Sequence, residues 1–293
     1  MAQTQPGKPV IKGFFDEPTN TISYLVADPA TGKAAIIDPV FDYDHTVASV
    51  DTRSVRAMLE AAAEAGYQVE WVLETHAHAD HLSGAPYIKA RTGAKIGIGE
   101  HIRDVQRIFR PIFNASDLKT DGSDFDHLFV DGERFRIGDL EVEVLYVPGH
   151  TPADVAYRVA DAVFVGDTLF MPDYGTARCD FPGGDAATLY QSIQKVLALP
   201  LETRLHLCHD YPPNGREPAW ETTVALQRAG NIHVHDGVTE AEFVALRTAR
   251  DKTLAMPVLI LPAVQINVRA GHLPPAEDNG VCYLKIPVNA LPL

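Results

Sequence analysis

Four side chains that can bind a metal lie within six consecutive positions of this chain. They are His76, His78, Asp80 and His81, and they follow directly after the apolar run Val69–Leu73. If that run is a buried strand, it delivers the four side chains to one edge of a sheet. In an extended turn His76 and His78 lean the same way, because a single alanine separates them. The spacing therefore predicts a metal site at the end of a strand.

Three further apolar runs end in side chains of the same chemical type. They are Leu140–Val147 before His150, Ala162–Val165 before Asp167, and Arg204–Leu207 before His209. Ligands that follow several strands meet at one edge of the sheets, which suits a metal site. In this order and with these motifs, roughly residues 10–215 resemble the metallo-β-lactamase superfamily.

The ligand inventory supports two metal sites. In a binuclear site, His76, His78 and His150 bind one metal, Asp80, His81 and His209 bind the other, and Asp167 bridges them. Two metals, for example two Zn²⁺, would generate a hydroxide and polarise a carbonyl, as a hydrolase requires. In a mononuclear site, His76, His150 and Asp167 match the two-histidine, one-carboxylate set of iron(II) enzymes, which leaves positions for substrate and O₂. The ligand types alone do not choose between the two.

The elements between these motifs predict the architecture. Strands, turns and ligand residues alternate along the chain, which predicts two β-sheets packed face to face with helices outside, an α/β/β/α sandwich. We predict one domain over residues 1–293, with a core at about 10–215 and C-terminal helices and an extended tail over 216–293. The predicted helices are Ser54–Ala65, Ala85–Arg91, His101–Phe113, Asp185–Leu199, Ala219–Arg228 and Glu240–Leu254, before a proline-rich tail, Met256–Leu293.

Charge and composition exclude some functions. The formal net charge is −14, from 25 basic and 39 acidic residues, and such a surface repels a phosphate backbone, so a nucleic-acid partner is not expected. No apolar run is long enough to span a bilayer, and the polar start Met1–Pro9 does not resemble a signal peptide. Three scattered cysteines indicate a reducing compartment. We therefore expect a cytoplasmic protein, and a homo-oligomer is compatible with this composition.

A closer resemblance favours one of the two metal sites. The segment Gly166–Phe170, followed by Gly175–Asp185 with its Gly-x-x-Arg-x-Asp-Phe pattern, resembles the persulfide dioxygenase branch of the superfamily. The ending Leu207–Tyr211 is similar to the His-Asp-Tyr ending of the same branch. The nearest hydrolase relative, glyoxalase II, has a further helical domain whose basic residues hold glutathione. The proline-rich ending of this chain resembles the dioxygenase branch more closely.

The resemblance implies an enzyme with one iron(II) per chain that oxidises glutathione persulfide, or another low-molecular-weight persulfide, with O₂ to sulfite and the free thiol. The implied iron ligands are His76, His150 and Asp167. The implied surrounding residues, which become ligands if the site is binuclear, are His78, Asp80, His81 and His209. The alternative is a binuclear thioester hydrolase that resembles glyoxalase II.

Two residues are candidates for contact with the substrate. Arg178 is a candidate bidentate partner for a glutathione carboxylate, and Tyr211 is a candidate hydrogen-bond donor to the substrate or to a ligand. Cys179 and Cys208 lie near the motifs, but we interpret them as small buried apolar residues. The segment His233–His235 is interpreted as a solvated turn rather than as a metal site.

Overall fold

Two six-stranded sheets lie at the centre of the computed structural model, which describes residues 7–289. In chain order the strands are β1 (Val10–Asp16), β2 (Thr21–Asp28), β3 (Lys33–Ile37), β4 (Val40–Asp44), β5 (Ser49–Asp51), β6 (Gln68–Leu73), β7 (Leu82–Ser83), β8 (Lys95–Gly99), β9 (His127–Phe129), β10 (Arg134–Ile137), β11 (Leu140–Tyr146), β12 (Val155–Val159), β13 (Ala162–Phe164), β14 (Arg204–His206) and β15 (Glu221–Thr223). The α-helices are α1 (Arg53–Glu64), α2 (Ala85–Thr92), α3 (Ile102–Ile112), α4 (Ala186–Leu197), α5 (Val224–Gly230), α6 (Glu240–Asp251) and α7 (Ile260–Asn267).

The strand order brings the predicted ligand segments to the same end of the molecule. The first sheet has the order β1-β2-β3-β6-β8-β9, and the second has the order β10-β11-β12-β13-β14-β15. Strands β3, β6, β8 and β9 run parallel to one another, and β13 runs parallel to β14. The carboxyl ends of parallel strands share one edge of their sheet. The segments that follow β6, β13 and β14 therefore begin at such edges.

Three apolar cores hold the layers together. The core between the sheets contains Ile22, Tyr24 and Tyr157. A second core packs α1, α2 and α3 against the outer face of the first sheet, and a third packs α4 and α6 against the second sheet. This arrangement confirms the predicted α/β/β/α sandwich.

Two glycines allow the ligand turns to pack closely. Gly149, which precedes His150, has a φ of +139°, and a Cβ atom there would lie 2.4 Å from the backbone of Leu189 in α4. Gly166, which precedes Asp167, has a φ of +54°, and its Cβ would lie 2.8 Å from Thr75. Only glycine adopts these conformations without strain and leaves this space free. The two turns are therefore fixed against their neighbours.

Several predicted helix boundaries are confirmed. The Asp185 side chain accepts a hydrogen bond from the Thr188 N–H at 2.7 Å and so caps α4. Thr239 and Glu242 form a reciprocal capping box at the start of α6. These caps place α4 and α6, which cover the second sheet, close to where the sequence predicted them.

Two predictions for the C-terminal region were wrong. Residues 219–228 were predicted as one helix, but the segment begins with β15, because the open edge of β14 binds it as an antiparallel strand before α5 begins. The tail was predicted to be extended, yet it contains α7. Most of that helix is buried, so it lacks an amphipathic pattern. Its Pro262 lies in the first turn, where a backbone N–H needs no helical partner.

Parts of two terminal predictions lie outside the described residues. They are residues 1–6 of the polar start and residues 290–293 of the tail. Among residues 7–289, no helix has both the length and the apolar character needed to cross a bilayer.

Candidate metal centre

The structure brings His76, His150 and Asp167 together. One ligand atom of each lies within 4.8 Å of the others, and all three side chains are buried. His76 follows β6, His150 follows β11 and Asp167 follows β13, so three separate loops meet at this point. Nε2 of His150 lies 3.5 Å from a carboxylate oxygen of Asp167. This is the set that the sequence predicted for a mononuclear iron site.

In both histidines of this set, a hydrogen bond from Nδ1 leaves Nε2 free to bind a metal. Nδ1 of His150 donates to the carbonyl oxygen of Arg178 at 2.7 Å. Nδ1 of His76 lies 3.0 Å from the Thr75 hydroxyl, whose own proton is donated to the Asp38 carboxylate at 2.9 Å. The hydroxyl therefore accepts from His76. Each ring keeps an unprotonated Nε2, which is the form that binds a metal.

The second predicted set lies beside the first. Ligand atoms of His78, Asp80 and His81 lie within 4.8 Å of one another. Nδ1 of His209 lies 3.2 Å from the carbonyl oxygen of Asn20. Its Nε2 lies 3.3 Å from an oxygen of Asp80 and 3.4 Å from Oδ1 of Asp167. His209 therefore connects the two sets.

Unpaired buried polar atoms indicate that the site is built for a cation. Burying a polar atom without a partner is costly, and native proteins rarely cluster such atoms. A metal ion with nitrogen and oxygen ligands would satisfy them, so the residues fit a metal. Among the described residues, the buried side-chain atoms of both sets without a hydrogen-bond partner are Nε2 of His76, Nδ1 of His78, both ring nitrogens of His81, Oδ1 of Asp167 and Nε2 of His209.

Asp38, which the sequence reasoning did not identify, orders the first motif. Its carboxylate accepts hydrogen bonds from the backbone and hydroxyl of Thr75 and from Nε2 of His78 at 3.0 Å. Burial acts to raise the pKa of Asp38, but His78 and these hydrogen bonds outweigh it and lower that pKa. Burial acts to lower the pKa of His78, but Asp38 raises it to about 9. Burial lowers the pKa of His81 to about 3, which leaves its imidazole neutral.

Asn267, in the C-terminal helix α7, is a second residue whose role was not predicted from the sequence. The Asn267 amide nitrogen donates to the carbonyl oxygens of His78 at 2.8 Å and of His81 at 2.7 Å. Its amide oxygen accepts from the Ser83 N–H at 2.8 Å. One side chain therefore fixes the backbone of the ligand loop. No sequence signal indicated this role, because Asn267 lies far along the chain from the loop.

A cavity of about 390 Å³ opens onto His150, Asp80 and Asp167. Its walls include aromatic side chains and residues 254–259, which connect α6 to α7. The Tyr211 ring stacks on His209 at 5.7 Å and on Tyr174 at 4.9 Å between ring centroids. Within residues 7–289, the Tyr211 hydroxyl has no protein hydrogen-bond partner. Burial raises the pKa of this phenol well above its usual value, so it stays a hydrogen-bond donor.

Arg178 also lines the cavity, but its guanidinium is already paired. Its Nε and Nη2 donate to the two oxygens of Asp180 at 2.6 and 2.8 Å, and Nη1 donates to the carbonyl oxygen of Ala255 at 2.7 Å. The bidentate partner in the structure is therefore a carboxylate of the chain itself. The backbone carbonyl of Arg178 has a separate role, because it orients His150.

The interpretation of the two cysteines near the motifs is confirmed, whereas that of the His233–His235 segment is wrong in part. Cys179 and Cys208 are buried free thiols, in agreement with their interpretation as small apolar residues. Burial raises the pKa of Cys179 to about 12, so its thiol stays protonated. The interpretation of His233–His235 as a solvated turn was wrong for His233. That side chain is buried, and its Nδ1 accepts a hydrogen bond from the Thr176 N–H at 3.1 Å.

Comparison with known proteins gives a family and several similar proteins. The family model for the metallo-beta-lactamase superfamily matches residues 17–209. A "Probable metallo-hydrolase" of Burkholderia pseudomallei is 54% identical, over 96% of this chain and 99% of that protein. A "Beta-lactamase hydrolase-like protein" of Agrobacterium fabrum is also 54% identical over 97% of this chain, but this chain spans only 65% of that protein's length.

Two further relatives and one solved structure bear on the activity. Glyoxylase B2 of Dictyostelium discoideum is 49% identical, over 97% of this chain and 98% of that protein. A hydroxyacylglutathione hydrolase of Rhodospirillum rubrum is 34% identical, over 64% of this chain and 61% of that protein. The crystal structure of ETHE1 from Myxococcus xanthus has a TM-score of 0.72 and 30% identity, and the match covers 90% of this chain and 100% of that one.

Proposed function

The chain belongs to the metallo-beta-lactamase superfamily, and we propose that it is an iron-dependent persulfide dioxygenase. The observation that carries this proposal is the extent of the similarity to ETHE1, which suggests that activity and which matches 90% of this chain. The match with the hydroxyacylglutathione hydrolase covers 64% of this chain, whereas the probable metallo-hydrolase and glyoxylase B2 match 96% and 97%. The cavity wall at residues 254–259 and helix α7 lie beyond residue 209, where the family model ends. We also propose that these C-terminal residues belong to the same domain.

We propose glutathione persulfide as the substrate, with another low-molecular-weight persulfide as the alternative carrier. Glutathione persulfide, O₂ and water give glutathione and sulfurous acid, which ionises to sulfite. The bond between the two sulfurs breaks, the outer sulfur is oxidised, and O₂ takes up the four electrons released. Atoms and electrons therefore balance without another reductant.

The chain's own residues have distinct tasks in this proposal. His76, His150 and Asp167 would hold one iron(II), which when bound supplies open positions for the persulfide sulfur and O₂. The carbonyl oxygen of Arg178 accepts a hydrogen bond from Nδ1 of His150 and so keeps Nε2 directed at the place where the iron would bind. The Tyr211 hydroxyl, which has no protein partner among the described residues, donates a hydrogen bond to the substrate.

The cavity supports this assignment because it is largely apolar beside the ligands. Phe170 and Phe181 line it, and both side chains are buried. The Phe181 ring lies 5.3 Å from the His150 ring, so it keeps water from that side of the ligand. We also propose that the protein works in a reducing compartment such as the cytoplasm, because its three cysteines are too few and too scattered for a disulfide framework.

A specific observation favours a second candidate, a binuclear thioester hydrolase. Both ring nitrogens of His81 lack a partner among the described residues. Together with Asp80 and His209 it could bind a second metal, with Asp167 as the bridge. The names of several similar proteins also refer to hydrolases.

Metal content and substrate preference separate the two candidates. Protein produced in iron-supplemented medium is expected to contain about one iron per chain, as expected for a single two-histidine, one-carboxylate site. It is expected to make sulfite from glutathione persulfide and to cleave S-lactoylglutathione slowly or not at all. Two zinc ions per chain with fast cleavage of the thioester would instead establish the hydrolase.

A further inference from the structure

Three arginines line the cavity, and two of them are neutralised by the chain itself. Arg178 forms a two-point ion pair with Asp180. Arg247, only 1% exposed, pairs with Asp251 at 2.6 Å and also donates to the Thr176 carbonyl oxygen at 3.0 Å. These two guanidinium groups fix the loop between β13 and α4 to helix α6 and to the segment that follows it.

The third arginine, Arg250, differs from the other two. Its guanidinium carbon lies 5.7 Å from the centre of the Tyr174 ring. Within residues 7–289, its side chain is at ion-pair distance from no carboxylate and donates no hydrogen bond. Among the residues that the structure describes, the carboxylates that line the cavity are Asp80 and Asp167, both in the candidate metal centre. The cavity therefore contains an unneutralised positive charge.

A series of stacked rings separates this charge from the metal centre. Arg250 lies over Tyr174, Tyr174 stacks on Tyr211 at 4.9 Å, and Tyr211 stacks on His209 at 5.7 Å. Two aromatic rings, those of Tyr174 and Tyr211, thus lie between the guanidinium and His209. A ligand that spans the cavity would have one end at the metal ligands and the other at Arg250.

We infer that Arg250 binds a carboxylate of the thiol carrier, at the end of the molecule opposite the reacting sulfur. A guanidinium pairs with a carboxylate through two parallel hydrogen bonds, and the stacked Tyr174 restricts its orientation. The chain has a net charge of −14, so an anionic substrate needs a local cation to bind. The ligand class is a thiol with a carboxylate several bonds from its sulfur, as in glutathione. The inference rests on the proposed function only for the oxidation of the sulfur, and binding of the carboxylate by Arg250 does not depend on that reaction.

Binding, measured apart from turnover, tests the inference. Glutathione and its diester, in which both carboxylates are blocked, are titrated by calorimetry into the metal-loaded protein. Arg250→Met is expected to raise the Kd for glutathione by about 10- to 100-fold, the range expected for loss of a charged hydrogen-bonding pair. The diester is expected to bind the wild-type protein about as weakly as glutathione binds the variant. Arg250→Lys, which keeps the charge but not the two-point geometry, should give an intermediate Kd.

Lys252→Met is the matched control, because Lys252 is an exposed cation at the end of the same helix and outside this cavity. It is expected to change the Kd by less than about twofold, since distant exposed charges are screened. Equal loss in both variants, an unchanged Kd in Arg250→Met, or no binding of glutathione by the wild-type protein would each overturn the inference. Glutathione binding that depends on Arg250 in a protein that consumes no O₂ would uphold the inference and refute the dioxygenase.

Discussion

Replacing Asn267 by alanine is expected to destabilise the protein, although this residue lies in a region that looked extended from the sequence. Its side chain is 4% exposed and makes three hydrogen bonds to backbone groups. Alanine would leave the carbonyl oxygens of His78 and His81 and the N–H of Ser83 without a partner. The change therefore loosens the loop that carries the first metal-binding motif.

The magnitude follows from these three bonds. A buried group left without its partner costs about 1–3 kcal/mol, and water entering the vacated space recovers part of that cost. The total loss in unfolding free energy should be about 3–5 kcal/mol. The unfolding entropy is about 2.1 cal/mol/K per residue, so for a domain of 293 residues 1 kcal/mol corresponds to about 1.6 °C, and the Tm should fall by roughly 5–8 °C.

Thermal unfolding followed by circular dichroism measures this effect. Asn279→Ala is the control, because Asn279 is exposed and its amide nitrogen donates to the Tyr283 hydroxyl at the surface. The control should shift the Tm by less than about 2 °C, as is usual for surface substitutions. If the two variants have the same Tm, Asn267 does not hold the ligand loop, and the role assigned to α7 is wrong.

Further substitutions test three other parts of the structure. Alanine in place of a predicted iron ligand, as in His76→Ala, His150→Ala and Asp167→Ala, should remove iron and activity together. His81→Ala should keep most of its iron when the metal content is measured. If the protein binds two metals, His81→Ala should instead lose one of them. Arg247→Met should lower the free energy of unfolding by about 3–5 kcal/mol, because Asp251 stays buried without its ion-pair partner. The control is Arg228→Met. Because Arg228 forms an exposed ion pair with Asp236, this change should lower the free energy of unfolding by less than about 1 kcal/mol. Burial lowers the pKa of His206 to about 3, against about 6.5 in an unfolded chain. As the pH falls below about 6.5, the unfolded chain binds a proton at His206 that the folded protein does not bind. The free energy of unfolding therefore decreases as the pH falls from about 6.5 to about 3. His206→Phe should remove about 1.4 kcal/mol per pH unit of that slope in urea titrations, and an unchanged slope would contradict the assignment.

Strand-end motifs predicted much of the metal centre because each side chain follows an apolar run. His76, His150, Asp167 and His209 could be placed this way without knowledge of distant contacts. Asp38 could have been found by the same rule, since it follows β3 directly. It was missed because it lies far before the histidine motif in the chain and resembles an ordinary Asp-Pro turn.

The C-terminal contributions could not be predicted because they depend on long-range packing. Helix α7 is buried on most sides and has no periodic pattern, and Asn267 contacts a loop far away in the sequence. The pairing of Arg178 with Asp180 was hidden for a different reason. The sequence showed an arginine suited to a carboxylate, but only the fold shows that the neighbouring carboxylate is its partner.

Oxygen uptake by the iron-loaded protein distinguishes a persulfide dioxygenase from a thioester hydrolase. With glutathione persulfide as substrate, we expect O₂ to be consumed and sulfite to be formed in equal amounts. The zinc-loaded protein should consume no O₂, because zinc has no redox chemistry. The absence of O₂ uptake by iron-loaded protein that cleaves S-lactoylglutathione rapidly would contradict the proposed dioxygenase activity.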